Sequence, residues 1–222
     1  MKKNAFTLAE VLITLGIIGV VAALVMPSMI SNVQDKILRA QRLKIINVLA
    51  NGLKMAEAQA DGSKEGTPLA KCSDLYYDPF SPQLYTCEYD AIRETFQPLY
   101  TSDANPNQMG GKITYSVIYG GDPLEVDWSD PMSSGACPAF ATKDGVFVSL
   151  CPTPSGSDNG AYIFVDVNGK KKPNVAGKDF FWGAYDLNAT VVLAIPGPDQ
   201  TECENIKNAT WDNNACIVMQ EY

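Results

Sequence analysis

The chain has 222 residues, 46% apolar and 19% charged, a composition that is globular rather than disordered and large enough for one medium domain. Its formal charge of −8 is unevenly placed: residues 62–222 hold ten basic against 21 acidic side chains, which argues against a broad DNA-binding face. Histidine is absent, so Ser/His and Cys/His catalysis and His-ligated zinc are excluded, and only carboxylate, thiol or lysine chemistry remains.

The chain opens with "MKKNAFTLAEVLITLGIIGVVAALVMPSMI". From Phe6 to Ile30 this mainly apolar run carries no charge other than Glu10, and as a helix rising about 1.5 Å per residue it reaches roughly 37 Å, enough to cross a hydrocarbon core of about 30 Å. A lone carboxylate at that depth costs on the order of a few kcal/mol unless something answers its charge. No basic residue lies within two helical turns after it. A cleaved secretory signal fits poorly, because the apolar run is long and a helical pattern continues beyond Met26-Pro27-Ser28. A plain anchor accounts for the length and for Lys2 and Lys3 on the cytoplasmic side, and leaves Glu10 unexplained.

The basic leader Met1-Lys2-Lys3-Asn4-Ala5, followed by Phe6-Thr7-Leu8-Ala9-Glu10 and a long apolar helix with Pro27, closely resembles the prepilin cleavage and methylation motif of type IV pilins and type II secretion pseudopilins. The resemblance covers about the first 30 residues. It implies a leader of residues 1–5, cleavage by a membrane prepilin peptidase between Ala5 and Phe6, and N-methylation of the new Phe6 amine. Ala5 departs from the family, which usually has Gly there, and slower cleavage is the expected consequence.

The resemblance also suggests a partner for Glu10: the Phe6 amine of a neighbouring subunit, paired inside a filament where both charges are out of water. Pairing with its own Phe6 amine, one helical turn away, is the competing arrangement. Gly16, Gly19 and Ala23 place small residues at three- and four-residue spacing, which lets helices approach closely in lipid. Gly is also simply frequent in membrane helices. Pro27 removes one backbone hydrogen bond and is expected to kink or locally melt the helix.

Beyond this assembly half (6–30), residues 31–62 continue as an amphipathic half. Leu38, Ile45, Leu49, Leu53, Ala56 and Ala60 recur on one face, and Asp61-Gly62 is the expected stop. A coiled-coil dimer is disfavoured because no strict heptad persists. Residues 63–110 are rich in turn formers, with a short helix expected near Glu88 to Phe96. Strand signals then follow in "KITYSVIYG", "PAFAT", "GVFVSL", "AYIFVDV", "FFWGAY" and "TVVLAIP". The expected fold is α+β and pilin-like: a long N-terminal helix, apolar then amphipathic, packed on an antiparallel sheet in an extracytoplasmic β-rich domain over 63–222.

Six cysteines, Cys72, Cys87, Cys137, Cys151, Cys203 and Cys216, fall in three couples of similar spacing. An even count without a CxxC pair argues for disulfides in an oxidising compartment, while spacing alone leaves the connectivity open. The middle couple can be argued further. A three-residue hairpin loop at Lys143-Asp144-Gly145, with Gly145 left-handed, sets Thr142 opposite Val146 and Cys137 opposite Cys151, within disulfide reach. The last couple resembles the disulfide-bounded terminal loop of many pilins.

No cofactor is expected. Calcium is considered at Asp166, Asn168 and Asp179, since some secretion pseudopilins hold that ion in a loop of the sheet domain. Against it stand the turn dipeptide Asn168-Gly169, the missing distal Glu of an EF-hand, and Lys170, Lys171 and Lys172, which would repel a cation. Asp127 with Asp130 comes nearest to a hydrolytic pair. "EVDWSDPMSSG" reads as an acidic loop, however, and no second motif supports catalysis. The expected function is therefore structural: a pilin or pseudopilin, minor rather than major given its loop-rich middle, placed in the bacterial inner membrane by a single pass. Its expected partners are homologous subunits and the peptidase, with no nucleic acid required. The alternative is a membrane-anchored extracytoplasmic binding domain that does not assemble.

Overall fold

The computed structural model describes residues 7–59, 72, 82–109, 111–129, 137–152, 160–186, 191–206, 209–212 and 215–218. The expected cleavage point at Ala5 and Phe6, Ala60, and the Asp61-Gly62 stop lie outside them. Two compact units divide the chain, Met1–Arg39 and Ala40–Tyr222. Helix α1 (Leu8–Gln59) begins in the first and ends in the second.

In the first unit the apolar side chains of α1 stand in the open; Leu12, Ile13, Ile17 and Ile18 are each more than half exposed. Among the described residues this is the one helix long and apolar enough to cross a membrane. The helix continues through Pro27, which lies inside it. A proline in mid-helix costs one hydrogen bond, and the turns on either side hold the helical course.

In the second unit the pattern of α1 changes to one face. Ile45, Leu49, Leu53 and Ala56, spaced by three or four, are all buried, each Leu or Ile contributing about 1.5–3 kcal/mol. Gly52 lies against the Phe96 ring of α2 (Pro82–Phe96), closely enough that a Cβ would overlap it. Arg42 stacks over Phe181, its guanidinium 5.3 Å from the ring centre, and Lys44 reaches Asp144 at 2.6 Å. Helix α2 starts six residues before the expected Glu88. Pro82 occupies the first helical position, where a missing N–H costs nothing.

The sheet is built from β1 (Tyr100–Thr101), β2 (Lys112–Val117), β3 (Leu124–Asp127), β4 (Ala139–Ala141), β5 (Phe147–Pro152), β6 (Gly160–Asp166), β7 (Val175–Ala176), β8 (Phe180–Asp186), β9 (Val191–Ile195), β10 (Ala209–Asp212) and β11 (Ala215–Val218), with short helices α3 (Pro106–Met109) and α4 (Gln200–Glu204) between strands. The strand order is β1-β4-β5-β6-β8-β7-β2-β3, and from β8 a branch continues through β9 and β11 to β10. Six expected strands are present at β2, β4, β5, β6, β8 and β9.

The sheet departs from the antiparallel expectation at one strand. β7 runs parallel to both β2 and β8, which makes the sheet mixed. The cause is local: Lys178 and Asp179 both donate N–H to the Val175 carbonyl, forming a single helical turn that returns the chain to the heading of β7. "LEVD" is likewise a strand rather than an acidic loop. Alternation along β3 puts Glu125 outward and buries Val126, and Trp128 just beyond is fully buried. Asp130 lies outside the described residues.

Each face of the central strands has its own core. Phe181, under Arg42, shares a face with its cross-strand partner Val165. On the other face Phe180 and Phe147 meet Tyr115 and Trp128 from the β2–β3 hairpin, with Tyr115 stacked 4.5 Å from Phe180 and Trp128 edge-on to Phe147 at 5.5 Å. Such aromatic pairs add about 0.5–1.5 kcal/mol each beyond area burial.

Candidate functional site

The head of α1 explains part of what the sequence left open about Glu10. Thr7 precedes the first helical residue, and its N–H and hydroxyl both donate to Glu10 Oε2 at 2.8 Å, while the Glu10 N–H donates to Thr7 Oγ1 at 3.3 Å. This is a capping box, in which Thr and Glu three residues apart satisfy each other's backbone donors. Its signature, Thr7-Leu8-Ala9-Glu10, is present in the sequence. Glu10 therefore starts the helix locally, and its carboxylate is held on the exposed end of α1 by Thr7. Gly16 and Gly19 occupy open helix surface, with nothing within 4 Å of where a Cβ would stand.

All six cysteines are bonded: Cys72 to Cys87, Cys137 to Cys151 and Cys203 to Cys216, with Cα separations of 5.9, 4.4 and 5.5 Å. The middle bridge sits where hairpin geometry puts it. Gly145 has φ 84°, the Thr142 N–H donates to the Val146 carbonyl at 2.9 Å, and Ala139 pairs with Ser149 two residues inward of the cysteines. Cys203 is fixed from α4, whose first turn is tied by a second capping box between Asp199 and Glu202. In the chain-entropy account each such loop restricts the unfolded chain by about 3 kcal/mol.

Asp166, Asn168 and Asp179 are brought together in the turn region beyond β6. Trp128 Nε1–H donates to Tyr115 Oη at 2.9 Å, and Tyr115 in turn donates to Asp166 Oδ2 at 2.5 Å; the Asn168 N–H donates to Asp166 Oδ1 at 3.1 Å. Asp179 Oδ1 accepts from the Val175 N–H at 2.6 Å, and its Oδ2 accepts from the Asn174 N–H at 2.7 Å and from Asn168 Nδ2 at 3.2 Å. Both acids are fully buried. Burial pushes the Asp166 carboxyl up to about 8; the charge of Asp179 pushes the same way, and hydrogen bonds from Tyr115 and the N–H groups of Asn168 and Gly169 hold it back. Burial also raises Asp179, against the pull of its backbone donors. Tyr115 is raised by burial and by the neighbouring Asp166 charge.

This donor set suits carboxyl groups held by hydrogen bonds better than a calcium shell. Every carboxyl oxygen faces an N–H or O–H, whereas calcium takes about six to eight oxygen ligands. Asn168 Oδ1 and Asn174 Oδ1, buried without a partner, are the oxygens there that such donors do not meet. Among the described residues no three acidic or thiol side chains converge as a metal cluster. Sequence reasoning missed Tyr115, Trp128 and Asn174, because their meeting with Asp166 is made by the β2–β3 hairpin folding onto the sheet and has no local signature.

Residues 1–26 match the family model described as the prokaryotic N-terminal methylation motif. No curated protein and no solved structure matches the chain. The motif and the exposed apolar helix fit a membrane-anchored protein assembled in the cell envelope. An α+β, pilin-like architecture follows that helix, and at its head the chain carries the prepilin-type signature of type IV pilins and pseudopilins.

Proposed function

We propose that this protein is a minor structural subunit of a type IV pilus or a type II secretion pseudopilus. It inserts by a single pass into the bacterial inner membrane, loses residues 1–5 to a prepilin peptidase, and assembles with homologous subunits through α1. The observation that carries this is the methylation motif over residues 1–26 running directly into a helix whose apolar side chains, among the described residues, stand exposed. An uncovered apolar surface of that length needs lipid or other helices around it. Assembly needs neither catalysis nor a cofactor, and the protein acts as a subunit rather than an enzyme.

In the filament the Glu10 carboxylate pairs with the methylated Phe6 amine of a neighbour, and this pair sets the stagger between subunits. The test is Glu10→Ala expressed beside a prepilin peptidase, scoring membrane insertion, cleavage and filaments separately. Insertion and cleavage are retained and filaments are lost. Normal filaments from Glu10→Ala would reject the pairing. A wild-type chain that inserts, is never cleaved and never assembles would instead support an anchored extracytoplasmic binding domain.

A further inference from the structure

The lysine run that argued against calcium has a place in the fold that the proposed function does not use. Lys170, Lys171 and Lys172 follow β6, and Lys143 lies in the β4–β5 hairpin loop; all four are exposed. The two loops touch, since a Cβ on Gly169 would fall against the Gly145 carbonyl. Four of the ten basic residues in the acidic 62–222 segment are thus gathered on one tip of the sheet. The acid among them, Asp144, is engaged by Lys44 at 2.6 Å, and Lys170 Nζ donates to the neutral Asn107 carbonyl at 3.3 Å. Among the described residues, none of the four lysines forms an ion pair.

The complementary charge lies at the far edge of the same sheet. No basic residue occurs between Lys178 and Lys207, and α4 with its cap holds Asp199, Glu202 and Glu204 within six positions. From β6 the sheet continues through β8, β9 and β11 to β10, four strand steps or roughly 19 Å at about 4.8 Å each. Tip and edge are therefore different patches of opposite sign. Contacts between unlike patches are head-to-tail, and head-to-tail contacts that do not close generate open helical filaments.

We propose that the lysine tip docks on the acidic α4 edge of a second copy of this chain, forming a lateral contact between sheet domains. This rests on the filament reading above and adds a contact outside α1. A nucleic acid is the less fitting occupant: 21 acidic side chains in the 62–222 segment would repel a polyanion extending beyond the four lysines.

The experiment is a charge swap in the full chain, coexpressed with a prepilin peptidase. The tip variant carries Lys170→Glu, Lys171→Glu and Lys172→Glu. The edge variant carries Gln200→Lys, Thr201→Lys and Glu204→Lys, and leaves the Asp199–Glu202 capping box intact. Each variant should cut filament yield by at least about tenfold, through like charges set against each other, with cleavage and all three disulfides unchanged. The chain carrying both sets should recover most of the wild-type yield. Wild-type filament yield from the tip variant would overturn the proposal, as would a combined chain no better than either part. A tip variant that assembles normally and only loses binding to duplex DNA would overturn it in favour of a polyanion. Absence of filaments from the unmutated, processed chain would be a failure of the filament reading itself, visible before any charge is changed.

Discussion

Replacing Asp166 by Asn should flatten part of the dependence of stability on pH. In the unfolded chain this carboxyl titrates near its ordinary value of 3.8, and in the fold it titrates at about 8. An acid whose folded value lies above its unfolded value binds its proton more tightly when folded. The stability it contributes is complete below about pH 4 and is lost as pH rises toward 8. Each unit is worth about 1.4 kcal/mol, so the span sets a ceiling of roughly 5–6 kcal/mol. Because Asp166 is fully buried, solvent screening does not reduce it. Between pH 5 and 7.5 the wild type should lose about 3 kcal/mol relative to Asp166→Asn. For a domain of this size that is on the order of 6–12 °C in Tm. Asn cannot ionise, and it can still accept from Tyr115, so the variant should pass from less stable than wild type at pH 5 to at least as stable at pH 8. The assay is thermal unfolding of the full chain in detergent, followed by fluorescence, since Trp128 belongs to the same network. Parallel Tm curves for the two chains across pH 5–8 would refute the assignment.

Two further outcomes are expected. Gly183→Ala should lower Tm, because a Cβ there would overlap the Val192 carbonyl of the paired strand; the cost is about 1–3 kcal/mol, and an unchanged melting curve would show that β8 and β9 do not approach as closely as the register requires. Millimolar calcium, or a chelator, should leave Tm unmoved, since hydrogen-bond donors already meet the carboxyl oxygens of Asp166 and Asp179. A rise with calcium that disappears in Asp179→Ala would establish the cation site after all.

The sequence announced those features that depend on neighbours in the chain. An apolar run with one acid announces α1, and alternation announces the central strands. In "TKDGV" the turn glycine fixes a register that carries Cys137 to Cys151. Glu10 carries a second signal at short range: Thr7, three residues before it, caps the helix through the same carboxylate. Features made by tertiary closure were harder. β7 has two residues and takes its direction from a single helical turn, too little for any periodicity to register. β3 is an edge strand whose outward charges masked the alternation beneath them. The C-terminal hairpin of β10 and β11 was expected only as a disulfide-bounded loop; pairing of β11 with β9 makes it part of the sheet. The Trp128–Tyr115–Asp166 chain joins residues up to 51 positions apart, and no spacing rule reaches that far.

The central claim is that the chain is processed as a prepilin before it assembles, and intact-mass analysis with N-terminal peptide mapping tests it most directly. The protein would be recovered from membranes of a host that carries a prepilin peptidase. A chain beginning at methylated Phe6, lighter than its reduced form by the six hydrogens of three disulfides, is the predicted result. A chain still bearing Met1 to Ala5, or one cut after the apolar segment, would contradict it.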